Sequence, residues 1–358
     1  MPRKENRPAL SIDEDVIFRQ MADSAFDFLS SARSDLEIYP KYAVIHFATA
    51  IELILKARLL REHWALTVSV SGEADRKNFQ NGTAKTVTLD QSIKRLENIA
   101  AEKLPAGAAE AFKVIAAHRN RMIHFFHEID SSEAEEALRT KVTKELLTGW
   151  YYLVQILRNW ESYFSEYQEQ VVDIENRMGS LRSYLLIAFE KKESQIAYDR
   201  ESGVEFRNCS SCSYDSAKVC NVDGSISEIE CLVCGLLDSM VRFPCGEEGC
   251  EGIVSVTSDN TSGGKCDICS KSVEETVIRR MLNTDLEAEA GRVQKNCGVC
   301  ASINTVVIHE QTFICVRCLA HENSVSMCEW CGEYQLGYDL TDSFYIGCQF
   351  CEGRRSWK

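Results

Sequence analysis

The first 208 residues contain no cysteine, although the whole chain has 17. That absence excludes thiolate chemistry and disulfide support from the first half and loads all of it onto residues 209–358. Proline is scarce, with five in 358 residues, and it falls at the ends of predicted elements. No apolar run approaches the roughly 18 residues that a membrane-spanning helix requires. A basic excess is missing too, since the formal net charge is −14. Residues 1–208 hold 28 Lys+Arg against 32 Asp+Glu, and the remainder holds 12 against 22. Such a balance excludes the broad positive footprint of a sequence-independent nucleic-acid binder, so any RNA contact must be local. The opening stretch MPRKENRPALSIDED has basic residues with no apolar stretch behind them, which is not the pattern of a secretory signal. A reducing cytoplasm is the expected compartment, where paired cysteines read as metal ligands.

Residues 1–200 read as an all-α bundle. Ser11-x-x-Glu14 forms a capping box, and Val16, Ile17, Met21, Phe26, Phe28 and Leu29 give a helical apolar face to about Ser31. Pro40 opens a second helix to about Trp64, apolar nearly all round and therefore central. Residues 68–88, with Gly72 and Asn81-Gly82, read as a polar excursion. Helices at about 90–100 and 106–126 follow. A long one, capped by Ser131 or Ser132, runs to about Glu166 with Trp150, Tyr151, Leu153, Ile156, Leu157 and Trp160 inward. A single last helix covers about 170–198. Residues 201–208 read as a linker. Beyond it the texture turns to small β-hairpins at Val219–Glu230, Thr305–Cys315 and Phe344–Cys348.

The cysteines come as eight knuckles. Cys209/Cys212 with Cys231/Cys234 and Cys245/Cys250 with Cys266/Cys269 fall in residues 209–272. Cys297/Cys300 with Cys315/Cys318 and Cys328/Cys331 with Cys348/Cys351 fall in residues 297–358. The stretches joining paired knuckles hold 18, 15, 14 and 16 residues. Two residues between cysteines make a turn that aims both thiolates at one ion, and a hairpin of that length brings a second turn opposite. The spacing predicts about four structural Zn2+ ions, each closed by four thiolates and so without an open catalytic position. Residues 273–296 read as a spacer, helical over Glu274–Glu289. Cross-braced pairing of alternate knuckles, iron–sulfur clusters and disulfides are the competing readings. Cys220 is left over and reads as a packed strand residue. His309 and His321 lie among complete ribbons and are not counted as ligands.

Arg119, Asn120 and His124 stand at the end of the fourth helix. Asn120 and His124 are four apart, hence on one helical face with Arg119 at its edge. Arginine can hold a phosphate and its developing charge, and a histidine with an ordinary pKa near 6.5 can move a proton on or off a ribose or leaving oxygen. The same residues also suit a bland reading, in which Arg119 and Arg121 are solvated helix-end charges and His124 is a packed histidine. Glu52, inside the apolar run Ala48–Leu55, either turns to solvent or pairs with Lys56, or else it reaches the motif helix to orient Arg119 or His124. His46, His63, His118 and His127 carry no such context.

The segment AIELILKA on a buried helix, followed about 65 residues later by RNRMIH, resembles the HEPN superfamily of small helical bundles, many of them metal-independent ribonucleases of toxin–antitoxin, CRISPR and phage-defence systems. The family motif of Arg, a polar residue, a spacer and His falls on Arg119, Asn120 and His124, with Glu52 in support. The resemblance covers about residues 10–200. It implies a homodimer whose two motif helices meet in one cleft, with one His as base and the other as acid, leaving a 2′,3′-cyclic phosphate. Some members place a tyrosine two residues after the histidine; here that residue is Phe126, so no hydroxyl is available there.

The expected function is a dimeric endoribonuclease whose ribbons recognise RNA, an antitoxin or another protein. The alternative is a non-catalytic dimerising adaptor. A third possibility is a nucleotide-binding bundle or the partner of a nucleotidyltransferase.

Overall fold

The computed structural model describes residues 12–70, 74–124, 132–221, 226–258, 264–283, 295–309, 311–337 and 339–353. Among them, the side chains of Ile12, Asp13, His124, Ser132, Ala134, Glu135 and Asn221 are not described. Ser11, Gly72, Phe126, His127 and Ser131 lie outside the described residues. The chain divides into two compact units, Met1–Lys191 and Lys192–Lys358.

The first unit is all helical. Its helices are α1 (Ile12–Asp35), α2 (Pro40–Leu60), α3 (Arg76–Gln80), α4 (Leu89–Asn98), α5 (Ala108–His124), α6 (Ser132–Asn159), α7 (Gln168–Gly179) and the start of α8 (Arg182–Glu201). As its composition predicts, α2 is buried on nearly every side, from Ala43, Val44 and Phe47 to Leu59 and Leu60. The α1 face is the predicted one only in part: Phe26 and Leu29 are buried, while Ile17, Met21 and Phe28 are half-buried. Val16 is exposed, and the buried stripe runs through Phe18, Ala22, Ala25, Phe26, Leu29 and Ala32. Alanines let α1 lie close along α2, and counting only bulky apolar residues misses that. On α6 the predicted inward residues Trp150, Tyr151, Leu153, Ile156, Leu157 and Trp160 are all buried. Gly149 makes that packing possible, because a Cβ there would meet the Phe47 ring at 2.8 Å and overlap Ile115.

Arg58 is the one fully buried cation on α2 among the described residues. It lies 2.6 Å from both Glu62 and Glu102, with its guanidinium 3.5 Å from the Tyr163 ring centroid. Trp160 Nε1 donates to the other Glu102 oxygen at 3.2 Å. The two carboxylates and the ring supply the compensation that a buried charge requires.

Two helix boundaries differ from expectation. α6 stops at Asn159, and a 3₁₀ turn at Ser165–Tyr167 precedes α7. There Phe164 and Tyr167 enter an aromatic cluster with Phe18 and Phe26, Tyr167 stacking on Phe26 at 5.0 Å. The single last helix expected is two, because α7 ends at Gly179 and Ser180 Oγ turns back to the Arg177 carbonyl.

The second unit is β-rich. Strands β1 (Phe206–Asn208), β2 (Asp215–Asn221), β3 (Ile226–Cys231), β4 (Leu237–Pro244), β5 (Ile253–Thr257), β6 (Gly264–Cys266) and β7 (Ser272–Val273) form one antiparallel meander in sequence order. β1 begins inside the segment read as a linker, and the end of α8 is tied to this sheet by Arg200–Asp215 and by Arg200 over the Phe206 ring. The segment read as a spacer carries α9 (Glu275–Leu282). Then come β8 (Lys295–Cys297), β9 (Val306–His309), β10 (Thr312–Cys315), β11 (His321–Glu322), β12 (Ser326–Met327) and β13 (Tyr334–Leu336). β9 and β10 form the expected hairpin, with β11 beyond it. β13 pairs with β12 on one side and, in parallel, with β8 on the other.

One core includes Cys266 of the second cysteine group and links the meander to the hairpin of the third ribbon. It joins Val241, Phe243, Val254 and Val256 of the meander to Ile278 and Leu282 of α9, and to Val307, Ile314, Val316 and Leu319. The ribbons therefore share burial instead of standing as separate beads, which eases the shortage of core in modules this small. The hairpin expected at Phe344–Cys348 is instead a helical turn, Ser343–Ile346. Tyr345 and Ile346 both donate to the Asp342 carbonyl, and Gly347 at φ 72° ends the turn. No helix among the described residues is long and apolar enough to cross a membrane.

Candidate functional site

The cysteine knuckles share one backbone device. At all seven with two intervening residues, the residue after the second cysteine adopts a left-handed conformation: Ser213, Gly235, Ser270, Ala301, Leu319, Gly332 and Glu352, with φ from 48° to 76°. Six of these residues donate their N–H to the carbonyl of the first cysteine at 2.7–3.1 Å: all but Ala301. At six of the seven the N–H of the first cysteine in turn reaches the next carbonyl along, as from Cys231 to Leu236 and from Cys328 to Glu333, while Cys348 N–H meets the Cys351 sulfur at 3.2 Å. The chain is thereby wound so that both sulfurs leave on one side. The longer knuckle reaches the same end through Gly249 at φ 77° and a bond from Cys245 N–H to the Gly252 carbonyl.

Sulfurs then converge across knuckles. Cys209–Cys234 and Cys212–Cys231 lie 3.5 and 3.6 Å apart, and Cys245–Cys269 and Cys250–Cys266 lie 3.7 and 3.6 Å apart. Cys297–Cys318 and Cys300–Cys315 are at 3.6 and 3.7 Å, and Cys328–Cys351 and Cys331–Cys348 at 4.0 and 3.9 Å. Within each group all four sulfurs lie within 4.8 Å of one another. A tetrahedron with metal–sulfur bonds of about 2.3 Å has edges of about 3.8 Å, so each group fits one ion. The pairing is sequential, which removes the cross-braced order. All 17 cysteines are free thiols, so none is in a disulfide. A hole bounded by four sulfurs this close takes a single ion, not a multi-iron cluster whose cysteines bind different irons. Four thiolates in tetrahedral array are the donor set of structural zinc, and no position is left open for catalysis.

Outer donors support the sulfurs. The fellow ligand Cys234 first, then two outer donors, its backbone N–H at 3.4 Å and Ser216 Oγ at 3.3 Å, hold the Cys231 thiol down to about 4 against burial, which raises it. Burial is the largest influence on Cys212 and pushes it up to about 11. Hydrogen bonds to bound sulfur orient the ligands and offset their charge. Cys220 sits on β2 opposite Glu228 and belongs to no group. His309 is buried, with Nδ1 2.9 Å from the Leu282 carbonyl at the end of α9. His321 Nδ1 likewise faces the Leu319 carbonyl, so both histidines serve the backbone rather than a metal.

In the first unit, Arg119 reaches across to α2. Its Nη1 lies 2.5 Å from Glu52 Oε1, while Nε and Nη2 donate to Asn120 Oδ1 at 3.2 and 3.1 Å. Both open readings of Glu52 are realised at once, since its other oxygen is 3.8 Å from Lys56 Nζ. The exposed stripe of α5 runs through Lys113, Ala117, Asn120 and Arg121. His124 is the last residue of α5; its side chain lies outside the described residues.

Two members of this neighbourhood carry no functional reading in the sequence, where Lys56 reads only as a partner of Glu52 and His118 only as one of the histidines without context. Lys56 is largely buried, donates to Thr86 Oγ1 at 3.1 Å, and has its pKa lowered by burial first and by Arg119, with Glu52 opposing. Its place four residues after Glu52 was the available signal. His118 is buried with Nε2 2.5 Å from Glu145 Oε2, which ties α5 to α6. Thus α5 is gripped on two sides by polar side-chain contacts one residue apart, Arg119 with Glu52 and His118 with Glu145. No protein-family model matches the chain, and neither curated proteins nor solved structures show significant similarity to it.

Proposed function

We propose that the helical unit is a metal-independent endoribonuclease of HEPN type that works as a homodimer, and that the second unit, closed around four zinc ions, recognises its target. The observation that carries this reading is the seat of Arg119. A guanidinium held by Glu52 and Asn120, partly open to solvent, stands on the helix that ends in His124. An arginine fixed in this way is preorganised to receive a phosphate, which costs less than ordering a free side chain.

In the reaction, His124 takes the ribose 2′-OH proton and O2′ attacks the adjacent phosphorus. The bond from phosphorus to O5′ breaks, and the same histidine of a second copy protonates the departing oxygen. Arg119 holds the charge on the phosphoryl oxygens. Products are a 2′,3′-cyclic phosphate and a free 5′-hydroxyl. None of these steps uses the zinc ions.

The test is cleavage of RNA by the full chain. Wild type should cut and leave cyclic-phosphate ends, and should keep cutting during brief exposure to chelator. His124→Ala and Arg119→Ala should each reduce cleavage by about a thousandfold. Unchanged cleavage in His124→Ala would sink the ribonuclease reading. A second reading is favoured by Glu52, which already neutralises Arg119: the bundle is a non-catalytic dimerising adaptor. A stable dimer without cleavage of any RNA offered would select it.

A further inference from the structure

The fourth cysteine group carries a surface that its own fold does not use. Three consecutive residues of the helical turn, Phe344, Tyr345 and Ile346, are 59, 76 and 70 % exposed. Trp330, inside the first knuckle of the same group, is 38 % exposed. The two segments meet where Glu329 N–H donates to Ser343 Oγ at 3.1 Å. Phe344 and Tyr345 stack edge to face with centroids 5.3 Å apart. The turn is clamped from behind, because Gly347 approaches Gly353 and the Cys351 sulfur so closely that a Cβ would overlap them. The local core is made by Leu340, Phe350 and the cysteines, so the exposed side chains are surplus to it. A run of exposed apolar residues on a rigid turn has a cost in water and marks a contact surface.

Charge selects the occupant. Between Arg317 and Arg354 there is no lysine or arginine, while Glu322, Glu329, Glu333, Asp339, Asp342 and Glu352 all lie there, and with Arg354, Arg355 and Lys358 counted residues 318–358 still carry a formal charge of −3. Four thiolates on a divalent ion add a further net charge of about −2. A phosphate backbone would be repelled. A protein segment with lysines or arginines around apolar anchors would be attracted by the rim and would bury its anchors against Phe344, Tyr345 and Ile346. We propose that this face of the fourth ribbon docks a basic, apolar-bearing segment of a partner protein. The assignment does not depend on the ribonuclease reading and holds equally for an adaptor.

The experiment uses the full, zinc-loaded chain and a fluorescein-labelled amphipathic peptide made only of lysine and leucine, followed by anisotropy. Controls are the same pattern in glutamate and leucine, the same pattern in lysine and serine, and a mixed-sequence single-stranded RNA. The lysine–leucine peptide should bind best. Replacing Phe344, Tyr345 and Ile346 together by serine should weaken it about tenfold or more. Because those side chains are exposed, zinc content should stay at four per chain in that variant. Glu329→Lys with Asp342→Lys should weaken binding without touching the apolar face. Equal binding by the triple-serine chain would show only unspecific attraction to an acidic surface and would overturn the proposal. So would an RNA that binds and displaces the peptide, or a lysine–serine peptide that binds as well.

Discussion

Arg119 Nη1 and Glu52 Oε1 lie 2.5 Å apart, although 67 residues separate them in the chain. The pair joins the motif helix to the most buried helix of the bundle, and Lys56 completes a row of cation, carboxylate and cation. Removing the carboxylate would leave two half-buried cations facing each other. Glu52→Ala should therefore cost about 1–3 kcal/mol of stability, seen as a lower denaturation midpoint of the full chain. It should also reduce RNA cleavage by about tenfold or more through disorder of Arg119. A variant with wild-type stability would show the pair to be incidental.

Lys56 makes a pH prediction. Its folded pKa lies below 10.5, so over the range from the folded value up to 10.5 the unfolded chain binds the extra proton. Stability carried by this group therefore rises with pH across that window. Lys56→Met should remove that contribution. The difference between wild type and Lys56→Met in alkaline denaturation series isolates it from other groups. A difference that does not change with pH would contradict the burial of the amine.

Each cysteine group should hold one ion, giving four zinc ions per chain by native mass spectrometry. Affinity should fall as pH drops, because protons compete for the thiolates. Cys266→Ser should leave three. It should also weaken the neighbouring groups, since Cys266 belongs to the core shared with α9 and with Val307 and Ile314. Chelation should abolish the β-rich signal while helical circular dichroism persists. Loss of one ion with no effect on the others would mean independent ribbons.

The left-handed residue after each knuckle gives a backbone test. Ala301, at φ 54°, holds a conformation that costs an L-residue about 1 kcal/mol, so Ala301→Gly should stabilise the second unit by about 0.5–1 kcal/mol. Gly235→Ala, at φ 74°, should do the reverse. Both are read as shifts in the thermal release of zinc.

The cysteine groups were legible because two-residue spacing between ligands is imposed by the metal and written in sequence. The left-handed knuckle residue was not, because five of its seven occurrences carry serine, alanine, leucine or glutamate in place of glycine. The central burial of α2 and the inward stripe of α6 followed from apolar periodicity. The inner face of α1 followed only in part, through Phe26 and Leu29, because alanines at a close crossing carry no hydrophobic signal of their own. The break at Gly179 and the helical turn at Ser343–Ile346 were hidden for a similar reason, since a few local hydrogen bonds decided them.

Composition and spacing by themselves determined a cysteine-free helical half, a cysteine-loaded half, and which sixteen cysteines gather into four groups fit for a metal ion. These follow from local rules, the helical period and the ligand turn, which act over a few residues. Only the tertiary structure decided that Glu52 holds both Arg119 and Lys56, that His118 meets Glu145, and that Cys266 shares one core with α9 and the hairpin of the third ribbon. Those are contacts between residues distant in the chain, and their energies depend on burial and geometry that no local pattern records.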